Sequence, residues 1–215
     1  MTRPGHNGAT VRRVCLPNIR RAEHLMGMPA AKARWTVEML DALPDDGQRY
    51  EIIDGVLFVT PAPSDVHQYV VGELHARLLE YLRRSGVGHP VVSPADVRRE
   101  DRRRNRVQPD IFVVRVTSGK RPTFPFDLSD LLLAIEVESP GNPRYDYQTK
   151  RALYLGAGVP EYWVVSPNAR TISRWTHAGD PGEILSRRLE WHPAGMASAL
   201  VVDLSAFFAE ALGEA

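Results

Sequence analysis

Cysteine is nearly absent from this chain. Cys15 is the only one in 215 residues, which excludes an internal disulfide and any zinc site built from cysteines, and fits a reducing, cytoplasmic setting. Long apolar runs are missing too. The stretch Leu131 to Ile135 is far short of the roughly 20 residues that span a bilayer, so no membrane helix is expected. The N-terminus carries Arg3, Arg12, Arg13, Arg20 and Arg21 but lacks the continuous apolar segment and small-residue cleavage site of a secretory signal. The formal net charge is only +1, so any nucleic-acid partner must be met by a local patch. GxGxxG, a Walker loop, helical HExxH and a Ser-His-Asp order are all lacking, which removes nucleotide-dependent and zinc-protease readings.

What is present is the composition of one α/β domain with a tail: hydrophobic residues make up 43% and charged residues 25%. Residues 1–34, rich in Gly, Pro, Asn and Arg, read as a basic, disordered tail, and residues 35–215 as a single domain. Thr36 caps a short first helix. Asp54-Gly55, between Arg49 to Ile53 and Val56 to Thr60, is a strong hairpin signal. Ser64 caps a helix from about Asp65 to Arg84, with Val66, Val70, Leu74, Leu78 and Leu82 along one face. Strands follow over Pro90 to Arg99, Val107 to Val116 and Leu131 to Glu138. A helix from about Arg144 to Ala157 and a strand at Val159 to Val165 come next. Strand-like pieces and a helix from Ser205 to about Leu212 complete the chain. The order helix, three strands, helix, strand predicts an α/β fold around a central mixed sheet.

Two of these strands carry carboxylates where core side chains belong: Gln108-Pro109-Asp110 opens one, and Ile135-Glu136-Val137-Glu138 ends the other. Burying a bare carboxylate costs several kcal/mol on the order of magnitude of a lost ion pair, so a cation, a hydrogen-bond network or a retained proton must compensate. Alternation puts Glu136 and Glu138 on one face with Leu132 and Ala134, and Asp110 with Phe112 and Val114. In suitable register Asp110 and Glu136 converge on a point that suits Mg²⁺ or Mn²⁺. Lys150, one helix later, is placed to steady a phosphate or a water beside such an ion. Spacing alone leaves a second reading open, in which Asp110 starts a strand, Glu136 and Glu138 form structural ion pairs, and Lys150 pairs with Asp146. Glu51 is a supporting ligand candidate from the hairpin, while Asp54 is a turn residue. His67 either meets the site or caps and packs its helix. Arg98, Arg99, Arg102, Arg103, Arg104 and Arg106 make a turn dense enough to neutralise phosphates, or else a solvated loop.

Tyr50-Glu51-Ile52-Ile53-Asp54-Gly55, Pro61-Ala62-Pro63-Ser64 with His67-Gln68, Gln108-Pro109-Asp110, Glu136-Val137-Glu138-Ser139-Pro140, Asp146 with Lys150, and Gly158-Val159-Pro160-Glu161-Tyr162-Trp163 occur in that order. This series resembles the Uma family of restriction-endonuclease-like proteins, with the PD-(D/E)xK nuclease fold, over about residues 35–212. The resemblance implies a restriction-endonuclease-like core with a leading β-hairpin and C-terminal strands plus helix. It also implies a metal-dependent endonuclease acting on DNA, with Asp110 and Glu136 as metal-binding carboxylates. A nuclease-fold protein that binds nucleic acid or another partner without cutting is the alternative. Glu138 stands where the general pattern has lysine; the resemblance implies that Lys150 takes that role, with Glu138 assisting and the Val137 carbonyl as a further ligand. By analogy with related folds, a homodimer is expected.

Overall fold

The computed structural model describes residues 34–44, 46–60, 62–83, 85–99, 104–121, 123–139, 144–177 and 179–214; residues 1–33 of the expected tail lie outside them. Helix α1 (Val37–Asp41) is capped by Thr36 Oγ1, as its sequence predicts. Strands β1 (Arg49–Ile53) and β2 (Val56–Thr60) form the hairpin. Asp54 and Gly55 both take positive φ, 50° and 80°, the conformation a two-residue primed turn demands. Helix α2 spans Asp65–Leu82, and Ser64 Oγ accepts the His67 N–H at 3.3 Å. Its inward face is His67, Val70, Val71, Leu74, Leu78 and Leu82, whereas Val66 is exposed. Val70, Leu74, Leu78 and Leu82 are buried as expected, and only in the first turn does the stripe differ, with His67 rather than Val66 turned in to a buried partner.

The two strands expected over 90–99 and 107–116 are each divided. The first becomes β3 (Gly88–Val92) and β4 (Val97–Arg98), the second β5 (Arg106–Val107) and β6 (Ile111–Arg115). Strand β7 (Phe126–Asp127) and a 3₁₀ turn, Leu128–Asp130, precede β8 (Leu131–Val137). A π-helical turn, Tyr145–Lys150, runs into α3 (Arg151–Gly156). Then come β9 (Tyr162–Ser166), β10 (Thr171–Trp175), β11 (Glu183–Leu185), β12 (Arg188–Trp191), β13 (Leu200–Asp203) and α4 (Leu204–Ala211).

The central sheet has the order β11-β10-β9-β8-β6-β3 and is mixed, since β8 and β9 run parallel while the other neighbours are antiparallel. A second sheet, β2-β1-β5-β4-β7, carries the hairpin, and β12 pairs with β13. One face of the central sheet packs on α2 and α4 through Val70, Leu74, Leu78, Phe207 and Phe208; the other packs on the second sheet and the 145–156 helical segment through Ile53, Val107, Tyr154 and Leu155. Residues 34–215 make one compact unit. Among them no helix is long and apolar enough to cross a membrane.

Leu132 departs from the expected alternation. The β6–β8 register passes from Val113↔Leu133 to Val114↔Leu131, so Leu132 is an extra residue on β8. It packs with Leu133 on the α2 side, not with Ala134 and Glu136. A bulge of this kind resets the two-residue period, which pattern reading from the strand start cannot anticipate.

Candidate active site

Strand register brings the two key carboxylates together. Ile111 pairs with Ile135 in antiparallel β6–β8, so one step further along the ladder Asp110 stands across from Glu136. The 108–110 turn is pinned from the side: Ser93 Oγ donates to the Pro109 carbonyl at 2.6 Å, and Ser93 N–H to the Asp110 carbonyl at 3.2 Å. The Asp110 side chain then accepts three hydrogen bonds. Arg49 Nη1 donates to Oδ1 at 2.8 Å, Val137 N–H donates to Oδ2 at 2.8 Å, and His67 Nε2 lies 3.0 Å from Oδ2. His67 Nδ1 is buried and makes no hydrogen bond.

Glu136 accepts from Tyr154 OH at 2.8 Å and lies 2.9 Å from Lys150 Nζ. Lys150 Nζ is also 3.2 Å from Glu51 Oε2 and 4.0 Å from Asp146 Oδ1. Glu51 is completed by Gln108 N–H at 2.7 Å and Tyr145 OH at 3.1 Å. The Tyr145 ring lies under the Lys150 ammonium, 4.9 Å from its centroid, and stacks on Phe58 of the hairpin at 4.3 Å. Hairpin, central strands and the 145–156 segment thus each supply charges to one buried cluster.

The electrostatics follow from crowding. In the cluster, Glu51, Asp110, Glu136 and Asp146 are four buried carboxylates facing two permanent cations, Arg49 and Lys150, with His67 as a third base. Burial pushes the Asp110 carboxyl up, but the His67 hydrogen bond and the Arg49 charge outweigh it and hold Asp110 well below the usual carboxylate range. Burial and the neighbouring carboxylates raise Glu136 despite the Lys150 ammonium. Asp146 is pushed up to about 6, by burial first, against Lys150 and with Asp110 and Glu51. Burial alone would lower Lys150, yet Glu136 and Glu51 raise it. Lys150 therefore stays charged while its environment favours protons on part of the acidic set.

The span that carries this cluster also falls within a known family. The family profile described as "Putative restriction endonuclease" matches residues 37–201. The chain belongs to the Uma2 family. A crystal structure described as a putative nuclease belonging to DUF820, from Anabaena variabilis, shares the fold with a TM-score of 0.68 at 16% identity, covering 82% of this chain and 99% of that one. No curated protein matches this chain.

Within the Uma2 fold, Asp110, Glu136, Lys150, Glu51 and His67 converge, and Val137 meets Asp110 through its backbone N–H. Glu138 does not join them; it accepts from Ser166 Oγ at the far end of β9. Arg102 and Arg103 lie outside the described residues, and Arg104 is exposed. Arg106 is held at the strand by Asp41 and by Asp96, whose Oδ2 is 3.4 Å from Arg106 Nε. Arg98 also reaches Asp96 Oδ2, at 3.8 Å.

Two groups escaped the sequence reading, Arg49 and Tyr145, while Tyr154 is legible there only as a neighbour of Lys150 at helical spacing. A signal for Arg49 existed, since it stands two residues before Glu51 and shares its face of β1 by alternation. Tyr145 sits five before Lys150, the π-helical spacing, and Tyr154 four after it, the ordinary helical one, and each phenol meets one of the lysine's carboxylate partners.

The chemistry of the donor set suits a hard divalent cation. The carboxylate excess leaves charge to be neutralised, and Mg²⁺ characteristically takes one or two carboxylates with waters and substrate oxygens. Among the described residues no three His, Cys, Asp or Glu side chains form a ready cage. Asp110 and Glu136 fit the role of a two-carboxylate site.

Proposed function

We propose that this protein is a metal-dependent endonuclease that hydrolyses phosphodiester bonds of DNA, with Asp110 and Glu136 as ligands of Mg²⁺ or Mn²⁺ and the Val137 carbonyl as a further oxygen. The observation that carries the reading is the placement of Asp110 across from Glu136 at the ends of paired strands, inside an acid-rich cluster of a Uma2 chain. A divalent cation bound there supplies polarisation of a phosphoryl oxygen and a water of lowered pKa.

The chain's own residues set the stage for this. His67 and the Val137 N–H fix Asp110 Oδ2, leaving Oδ1 as its adjustable oxygen. Lys150 is only 2% exposed and sits between Glu136 and Glu51, so its role is to orient Glu136 rather than to touch substrate. Tyr154 OH holds the other Glu136 oxygen. Glu138, tied to Ser166, borders the site without entering it. Exposed Arg104, with Arg102 and Arg103 beside it in sequence, supplies phosphate contacts, and two copies serve the two strands of a duplex.

Supercoiled plasmid with Mg²⁺ or Mn²⁺ tests the reading. The native protein nicks it, and Asp110→Ala and Glu136→Gln each lose on the order of 100-fold or more of the rate. Equal nicking by all three proteins, or none by any, overturns the proposal. The enclosed state of Lys150 favours one second reading, a binding protein of nuclease fold. DNA retention with neither metal uptake nor nicking would establish that instead.

A further inference from the structure

Arg49 is the one cation of the cluster with a route to solvent. Its side chain is 19% exposed, against 2% for Lys150 and 6% for His67. It enters from the first residue of β1 on a long stem, and among the described residues only its Nη1 is engaged, donating to Asp110 Oδ1 at 2.8 Å and to the Gln108 carbonyl at 3.2 Å. The other Asp110 oxygen is held by packed partners, the buried His67 ring and the β8 backbone. Lys150, equally well placed by charge, is locked by two carboxylates and covered by Tyr145. The guanidinium therefore occupies the one Asp110 oxygen that is not held by fully packed partners, and it is the most exposed cation of the cluster.

Resting on the nuclease reading above, we propose that Arg49 is an exchangeable internal cation. It neutralises Asp110 Oδ1 in the metal-free protein and competes with the divalent ion for that oxygen. Metal affinity is then set by the cost of displacing Arg49 as well as by the carboxylates. The displaced guanidinium keeps its full set of donors at the rim of the site, where a phosphate group would arrive.

Calorimetric titration with Mn²⁺ of the full-length native protein, Arg49→Gln and Arg49→Lys tests this. Arg49→Gln is expected to bind Mn²⁺ at least about tenfold more tightly than the native protein, and Arg49→Lys to stay within about threefold of it. Equal or weaker binding by Arg49→Gln overturns the exchange. Should Arg49→Gln fail to fold, arginine side-chain ¹⁵N spectra of the native protein during Mg²⁺ titration decide. A shift of the Arg49 Nε–H signal supports exchange, and a signal that never moves overturns it. Plasmid nicking with unchanged affinity in Arg49→Gln defeats the exchange while leaving the nuclease reading intact. No Mn²⁺ uptake together with no nicking defeats both.

Discussion

Ion pairs occur in two contrasting settings in this molecule. Around Lys150 they are enclosed, with side-chain exposures of 2% or less for Lys150, Glu51 and Glu136. On the C-terminal surface, Arg170 with Glu214 and Arg188 with Glu190 make equally short contacts while remaining about half exposed. The contact distances hardly differ; the surroundings do. At 2.9 Å the Lys150–Glu136 attraction is about 6 kcal/mol at an effective dielectric near 20, but that gain is set against the desolvation of both groups. Surface pairs gain little and lose little, typically about 0–1 kcal/mol. Geometry alone therefore says nothing of which pairs matter, and burial says most of it.

The largest break in this contrast is expected from Lys150→Met. It leaves Glu136 and Glu51 buried without their shared cation, and denaturant unfolding should show a loss of about 3–5 kcal/mol. Adding Glu51→Gln and Glu136→Gln to the same protein should recover most of it; no recovery would mean that lysine packing, not charge, was lost. Tyr154→Phe removes one donor to Glu136 and should cost about 1.5–3 kcal/mol, with the far-ultraviolet spectrum unchanged.

Asp146 should set one limb of the pH dependence, and Glu136, raised as well, acts in the same direction. The folded value of Asp146, about 6, lies above the ordinary 3.8. The folded protein thus holds a proton that the unfolded chain has released, and stability falls as pH rises from about 4 to 6, at up to about 1.4 kcal/mol per pH unit. Asp146→Asn should flatten that limb in melting temperatures measured across the window. Asp110 acts with the opposite sign: it is depressed in the fold, so its contribution is lost as pH drops below the ordinary carboxylate range. The smallest effect is expected from Arg170→Ala, within about 0.5 kcal/mol of the native protein in the same unfolding assay.

The same division between local and distant explains what the sequence discloses. Asp54-Gly55, the Ser64 cap and the Thr36 cap are local signals, and all stand in the structure as read. Asp110 and Glu136 announce themselves because acids interrupt apolar strands. By contrast, the Leu132 bulge and the division of the strands near Ser93 and Gln108 depend on pairing across the sheets, which no local period encodes. Arg49 meets Asp110 across 61 positions of chain, so its role becomes visible only once the hairpin is docked. Glu138 shows the reverse: alternation places it on the Glu136 side of β8, yet the nearby Ser166 claims it first.

The π-helical turn Tyr145–Lys150 acts as a phase spacer. One residue of an ordinary helix advances the azimuth by about 100°, so shortening this turn by a single residue would swing the ammonium around the axis and away from its acceptors while leaving the downstream helix intact. Segment length here is thus as fixed a requirement as residue identity.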